Sequence, residues 1–595
     1  MVSDSLYIIG GSEENLPNEI KKFSKIIFLD KEQEGFKNKF SLIKNFLDKQ
    51  SMLRKRWLNL QEQVFDKIKN HLDKDEDFSY LLYNIFFEAS PMKTNSIYKY
   101  FKIQLIIDYI KSRNIKKIFL YNVSNDIENF FYLNKTKFNF FVKTLKVKKK
   151  KSSLKNLFNT VVKNNSILVL FYYILTEYKK TRKIYPQKCK SNKVVLSYYH
   201  QGAQLFDDEF SNIYFERASS LLNAKYAWLF IYVGDKLKIE KENKLIKKNI
   251  NSFGFLDAYF NISDFFEIIF NFFRINKKLK SIKTADLFIF KEINYLSLAK
   301  KEWSTSLLSL LINWLIYEKK FSSFFKKNSH IKEVIYLMEF QPWEQMLNKF
   351  AKKFNVKTKG VIHSIVRPNL MNFYHSTAIN SKLNLPSFVG VNSDFSKSLM
   401  TKNGFKSNQI LKIEAQRFNY LLKNKVSVNF KKTKLRKSIL IVTSIIYAET
   451  LELLNYFAST NIEFEKVYIK EHYLFPVSLI IKSQIKNFPN FEIIKGTVLD
   501  AFKLSDIVLV ANGSSVLLES VLCNKQTVSF FSLSSLPIAA INKASNLHFI
   551  YDVSSLSNKL KELIVQPAMK VMNKKQDKFL YLNKNLRYWR EFINK

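Results

Sequence analysis

The sequence predicts an α/β protein with two parallel-sheet domains facing a cleft and helical insertions in the N-terminal domain. Short apolar runs rich in β-branched residues, such as those at 194–198, 334–338, 438–442 and 507–510, alternate with segments of helical periodicity. That is the pattern of buried parallel strands joined by crossover helices. Polar turns follow these runs, where an open α/β sheet presents its carboxyl edge. One stretch, SDIVLVANGSSVLLESVLCNKQTVSF at 505–530, holds a complete strand, turn, helix and second strand.

A chain of 595 residues has room for two or three domains. Its 47% hydrophobic and 15% aromatic content marks it as globular and excludes a disordered chain. The formal charge of +45 points to anionic partners, namely nucleic acid, an anionic membrane face or anionic substrates. Part of that excess is compositional, because the chain is rich in Lys, Asn, Ile and Phe and holds only 11 Gly and 10 Pro. Two cysteines, Cys189 and Cys523, exclude a disulfide framework and fit a reducing cytoplasm. The opening MVSDSLYIIGG lacks the charged and long apolar regions of a signal peptide. The apolar runs at 167–175 and 306–316 are too short to span a bilayer, so any membrane contact is expected to be peripheral.

In chain order, strands are expected at 6–9 and 25–29, with a Gly10-Gly11 turn after the first. One or two long amphipathic helices follow over 36–72, another helix over 98–111, then a strand at 118–121. Residues 143–165, KTLKVKKKKSSLKNLFNTVVKNN, form the densest basic run, and an apolar-aromatic helix at 167–178 adjoins it. Such a pair suits attachment to anionic lipid, and equally a solvated insertion helix. After the strand at 194–198, His200 and Asp207-Asp208-Glu209 read as a polar turn; without an Asp-x-Asp in strand context no metal site is expected. A helix at 213–222, a strand at 228–233 and a long helical stretch over 255–316 come next.

The segment 334–369 places Glu339 after one strand and His363 after the next, both at the expected catalytic edge. A carboxylate or imidazole there can take the proton from an acceptor hydroxyl. Glu344 is positioned to cap the helix opened by Pro342, and Trp343 suits core packing better than sugar stacking. Residues 396–437 read as hinge and linker, the last fourteen being polar and basic, and 438–570 as a second Rossmann-like domain. Within it, the turn Asn512-Gly513-Ser514-Ser515 offers hydroxyls, a close backbone approach at Gly513 and unpaired helix N–H groups. Glu519 lies one helical turn beyond Ser515, on the same face.

The Ser-Ser turn after S-D-I-V, with Glu519 four residues on and then N-K-Q-T-V, resembles the donor-nucleotide half of GT-B glycosyltransferases, particularly sialyltransferase-like and Kdo-transferase-like enzymes. Residues 339–344 (E-F-Q-P-W-E), His363-Ser364 and 414–421 (E-A-Q-R-F-N-Y-L) are similar to segments of bacterial surface-carbohydrate biosynthesis proteins. The resemblance covers most of 194–530 and little of the first 190 residues. It implies a GT-B-like fold with an acceptor-side domain over 1–395. Within that domain the stretch at about 127–190 reads as a basic helical insertion, because a good strand resumes at 194–198. The resemblance also implies a C-terminal helix over 571–595 that packs back on that domain.

By the same resemblance, the strand ending in Lys470-Glu471-His472 matches a Lys-x-His-Pro strand end that contacts the donor nucleotide, although here the proline is delayed to Pro476. The donor site would then comprise Lys470, His472, Thr497, Asn512, Gly513, Ser514 and Ser515, with Glu519 on the ribose hydroxyls. Glu339 or His363 would act as general base. Glu414 and Arg417 would lie at the hinge, Arg417 reaching a phosphate or pairing structurally with Glu414. The implied activity is metal-independent transfer of a sugar, from a CMP-sugar in the first instance, to a surface polysaccharide or lipid-linked glycan, with no cofactor beyond the substrate. The setting would be cytoplasmic or peripheral on the inner membrane face, through 143–178. Transfer of a polyol phosphate from a CDP donor is the enzymatic alternative. A non-catalytic assembly or nucleic-acid-binding protein is the other, weakened by the absence of a zinc, RRM or helix-turn-helix signature.

Overall fold

The computed structural model describes residues 4–10, 25–29, 40–69, 84–91, 93–146, 166–181, 184–199, 203–206, 209–234, 238–246, 251–261, 263–282, 284–305, 310–423, 438–472, 476–485, 487–533, 535–541, 543–565 and 578–595. His200, Asp207, Asp208, the basic stretch 147–165 and the linker 424–437 lie outside them.

The described strands form three parallel sheets and two separate antiparallel hairpins. In the first sheet, β1 (Ser5–Ile9), β2 (Ile26–Phe28), β3 (Lys117–Tyr121) and β4 (Phe141–Lys146) take the order β2-β1-β3-β4. The helices Leu42–Lys69 and Ser96–Ser112 form where helices were expected; the first buries an apolar face in the same core as this sheet, and the second is buried there on nearly every side.

The second sheet begins at β5 (Lys193–Tyr199), which is followed by the antiparallel hairpin β6 (Ala203–Phe206) and β7 (Glu209–Asn212). Next come β8 (Ala227–Tyr232), β9 (Ser252–Phe255) and a second hairpin, β10 (Ile289–Phe290) with β11 (Ile293–Asn294). Strands β12 (Glu333–Leu337), β13 (Lys357–Val361), β14 (Phe388–Val391) and β15 (Ile410–Lys412) complete a seven-stranded sheet of order β15-β14-β13-β12-β5-β8-β9. The span 1–395, read from sequence as one domain, thus supplies strands to two sheets, and β4 lies within the stretch read as an insertion.

The third sheet holds β16 (Ser438–Val442), β17 (Lys466–Lys470), β18 (Glu492–Ile493), β19 (Ile507–Ala511), β20 (Gln526–Phe530) and β21 (Leu547–Ile550) in the order β18-β17-β16-β19-β20-β21. In both larger sheets the first strand in sequence sits inside the sheet and the winding direction reverses beside it. This is the doubly wound Rossmann topology, whose ligand crevice opens at the reversal. The reversals lie between β5 and β12 and between β16 and β19. β12 and β19 are buried at every residue; β19 reads as an unbroken apolar run, and in β12 the one charged residue, Glu333, is paired with the buried Lys359.

Two helical expectations are corrected. Residues 213–217 are turn, and only Ala218–Asn223 is helical, because the Asn212 side chain accepts the Tyr214 N–H and Glu216 takes φ 36°. The stretch 255–316 is interrupted by the β10–β11 hairpin, where Lys291 and Glu292 adopt φ 49° and 66°.

The units meet at Asn369. Its amide donates to Gln50 Oε1 (3.1 Å) and the Pro537 carbonyl (2.7 Å), and its oxygen accepts from Arg54 (2.9 Å), so one side chain ties elements of all three sheet units. The C-terminal helix Arg587–Asn594 packs on the seven-stranded unit, where Lys359 Nζ donates to the Phe592 and Ile593 carbonyls (3.1 and 3.2 Å). Gly390 on β14 permits that approach, since a Cβ there would stand 3.1 Å from the Phe592 ring.

Candidate functional site

β12 and β13 deliver Glu339 and His363 to one edge. Glu344, at the third position of the helix Pro342–Lys353, accepts the backbone N–H groups of Glu339 (2.9 Å) and Phe340 (3.0 Å) and so fixes the strand-to-helix turn. Burial raises the Glu344 carboxyl well above its ordinary value, with the Glu339 charge adding to the effect. Trp343 is buried, its indole N–H donating to the Tyr198 hydroxyl (3.0 Å), so it packs in the core.

His363 Nε2 lies 3.4 Å from Glu339 Oε1, while Nδ1 is buried without a hydrogen-bond partner. Burial pushes the imidazole down to about 4; Glu339 opposes that shift and Arg417 reinforces it. His363 is therefore neutral at pH 7, as a proton acceptor must be. The Tyr214 ring packs edge-on to His363 at 4.7 Å, and the Arg417 guanidinium lies over the same ring at 5.8 Å. No carboxylate among the described residues lies within ion-pair distance of Arg417.

Glu414 does not pair with Arg417. Its two carboxylate oxygens accept the Tyr588 and Trp589 backbone N–H groups (2.9 Å each), capping the C-terminal helix. Glu414 anchors the hinge segment to the returning chain end.

The facing edge comes from the third sheet. Asn512 is fully committed at the reversal point, donating to Glu449 Oε1 (2.8 Å) and accepting from the Ile538 N–H (2.8 Å). Ser514 Oγ accepts the Val516 N–H (3.3 Å), whereas the Ser515 side chain forms no capping bond. Glu519 accepts from the Tyr420 hydroxyl, which crosses from the hinge. Burial raises both Glu449 and Glu519. Farther along the edge, Lys470 Nζ donates to the Ile494 and Gly496 carbonyls (3.2 and 2.7 Å). The His472 N–H donates to Thr443 Oγ1 (2.9 Å), and burial lowers its imidazole. Thr497 is taken up in a capping box with Asp500 (2.6 Å).

Arg367 joins the two edges. It follows His363 on the loop after β13, and its Nη1 donates to the Gly513 carbonyl at 2.5 Å. Burial lowers it to about 10, with Glu449 and Glu519 opposing and Arg417 reinforcing. Sequence reasoning missed Arg367, Glu449 and Tyr214; the one local signal for Arg367 was a cation four residues past His363 on the same loop. Tyr420 lay within the E-A-Q-R-F-N-Y-L segment without an assigned role. Among the described residues no group of three or more His, Cys, Asp or Glu gathers to hold a metal ion.

Two Rossmann-like units thus turn their carboxyl edges toward one cleft. The fold is GT-B-like. No family model matches the chain, and no curated protein does. Among solved structures the chain is similar to a UDP-GlcNAc 2-epimerase from Neisseria meningitidis bound to UDP-GlcNAc, at 10% identity over 68% of this chain and 98% of that one, TM-score 0.35. It is also similar to Acinetobacter baumannii MurG, at 12% identity over 62% and 90% of the two chains, TM-score 0.34. The wall teichoic acid polymerase TagF is similar at 12% identity over 75% and 96%, TM-score 0.31.

Proposed function

We propose that the protein is a glycosyltransferase that moves a sugar from a nucleotide-sugar donor to a growing surface polysaccharide or lipid-linked glycan. The reading is carried by the convergence of the Glu339–His363 pair and the 512–515 turn on one cleft, joined by Arg367. The neutral imidazole of His363 takes the acceptor hydroxyl proton. The acceptor oxygen then bonds to the anomeric carbon while that carbon's bond to the leaving phosphate oxygen breaks. Glu339 stabilises the imidazolium that forms. Arg417 and the free N–H groups of Arg367 face the charge that collects on the departing phosphate, as preorganised cations should. Ser515 and the backbone at Gly513 line the donor side with Ser514. Lys470, His472 and Thr497 stand farther along the same edge, and Glu519 is the candidate for the ribose hydroxyls. Asn512 acts through Glu449 by shaping the turn.

The test is a melting-temperature panel with CMP, CDP, UDP and GDP, CMP being the first expectation from the resemblance. One nucleotide should stabilise the wild type, and Ser515→Ala and Glu519→Ala should lose that response. If none shifts the parent protein, the donor-site reading falls. If CDP alone acts and a polyol phosphate moves with it, the reaction is phosphotransfer. Affinity for nucleic acid that collapses with added salt, without a nucleotide response, would favour the binding-protein alternative.

A further inference from the structure

We propose that the helices Ser166–Thr181 and Asp264–Ser281 together form a docking face for an anionic lipid bilayer. Each buries one side, through Leu170 and Ile174 in the first and Ile268, Phe272 and Ile275 in the second. The other side of each is apolar and open. Phe171, Tyr172 and Leu175 are exposed on the first helix, Tyr172 at 64%; Phe266, Phe270 and Phe273 are exposed on the second, Phe266 at 76%. Phe266, Phe270 and Phe273 recur at helical spacing on one face, and the helices touch where the Phe171 and Phe265 rings meet at 6.1 Å. Single exposed apolar residues are ordinary on a protein surface, but a run of aromatics over two adjoining helices is a patch that marks an interface.

The patch is preformed. Both helices pack against the helix Leu311–Lys327, and the buried Lys320 ammonium pairs with Glu177 of the first helix and with Asp257 (2.6 Å). The surrounding charge selects the occupant. Every acid on the two helices is engaged: Glu177 with Lys320, Glu267 with Lys319, and Asp264 with the Asn261 N–H. Lys179 and Lys277 are exposed beside the aromatics with no carboxylate partner among the described residues. The chain immediately preceding the first helix is the lysine-rich stretch 143–165. Aromatic side chains at headgroup depth with lysines around them are what an anionic bilayer surface binds, and each lysine adds to the attraction. No described helix is long and apolar enough to cross a membrane, so the contact is interfacial. The first helix also packs on the turn Leu256–Tyr259, which directly follows β9 at the carboxyl edge of the sheet that carries Glu339 and His363.

Co-sedimentation of the full chain with vesicles of phosphatidylcholine, alone or mixed with phosphatidylglycerol, tests this without any nucleotide, so its outcome is independent of the donor-site reading. The wild type should bind the anionic vesicles and release with added salt. The double variant Phe266→Ser/Phe270→Ser should bind at least about tenfold more weakly while its melting temperature holds. Lys179→Glu/Lys277→Glu should weaken binding to anionic vesicles and leave the phosphatidylcholine baseline unchanged. Wild-type affinity in the phenylalanine variant, equal binding to both vesicle types, or no vesicle binding at all would overturn the proposal. So would a wild-type oligomer that ignores vesicles and becomes monomeric in Phe266→Ser/Phe270→Ser, since the face would then serve self-association.

Discussion

Arg367 Nη1 donates to the Gly513 carbonyl at 2.5 Å, so the loop after β13 is held directly against the turn after β19. The contact joins the carboxyl edges of the two sheets, beside the β16–β19 reversal of one and one strand beyond the β5–β12 reversal of the other. Replacing Arg367 by Ala removes that tether and, on the proposed reaction, a cation for the leaving phosphate, and turnover should drop by about a hundredfold or more. Lysine keeps the charge but not the planar fork, and should recover only part of the loss. Steady-state kinetics on the two variants, beside the nucleotide melting panel, separates chemistry from binding. Unchanged turnover in Arg367→Ala would remove the residue from the mechanism.

Tyr420 and Glu519 form the second crossing contact. Tyr420→Phe leaves a buried carboxylate with the Ser515 side chain but without its tyrosine donor, which should cost about 1 kcal/mol of stability. Chemical denaturation should show a lower midpoint with the slope unchanged. Because Glu519 is then free to accept other donors, the nucleotide response should persist in Tyr420→Phe and vanish in Glu519→Ala.

His363 and His375 are both buried, and burial places each at about 4 rather than 6.5. His375 Nε2 lacks a hydrogen-bond partner and packs against the Phe340 ring at 4.8 Å. Since the unfolded chain binds these protons first, the stability contributed by each neutral imidazole is complete above pH 6.5. It is lost as pH falls toward 4, to an extent of roughly 3 kcal/mol per histidine at most. The buried carboxyls Glu344, Glu449 and Glu519, raised by burial, act in the opposite sense. The histidine effect is therefore read as a difference: the melting temperature of His375→Asn should fall less between pH 7 and pH 4 than that of the wild type. Parallel curves for the two proteins would contradict it.

Glu414 receives two backbone N–H groups of the C-terminal helix and, through its carbonyl, the Trp589 indole N–H. Glu414→Ala should destabilise the protein by about 1–3 kcal/mol and expose the chain end to exopeptidase trimming. Glu414→Gln, which keeps one acceptor oxygen, should lie between Ala and wild type in a thermal melt.

The apolar runs marked β5, β8, β12, β16, β17, β18, β19 and β20 with boundaries off by a residue or two and β13 with its start three residues late, because a parallel strand covered on both faces is apolar, as β19 is. The short strands β9, β14, β15 and β21, each of three or four residues, were not read from the sequence. The same logic put Glu339 and His363 at a strand edge, and they do meet. Periodicity failed where a turn interrupts an aromatic-rich stretch. At β10–β11 the backbone turns through Lys291 and Glu292, residues that carry no turn signature. Sequence also could not apportion polar residues between ligand and scaffold. Thr497 is a helix cap, Asn512 a strut for Glu449, and Glu414 the anchor of the last helix.

What the sequence determined by itself was local: which of the longer apolar runs are strands, where their carboxyl ends fall, and which chemistry-bearing residues stand there. The tertiary structure decided which of those ends face each other. Arg367 and Gly513 are separated by 146 residues, and Tyr420 and Glu519 by 99. Such partners are selected by how whole sheets pack, and neither residue of either pair carries a local pattern that names the other.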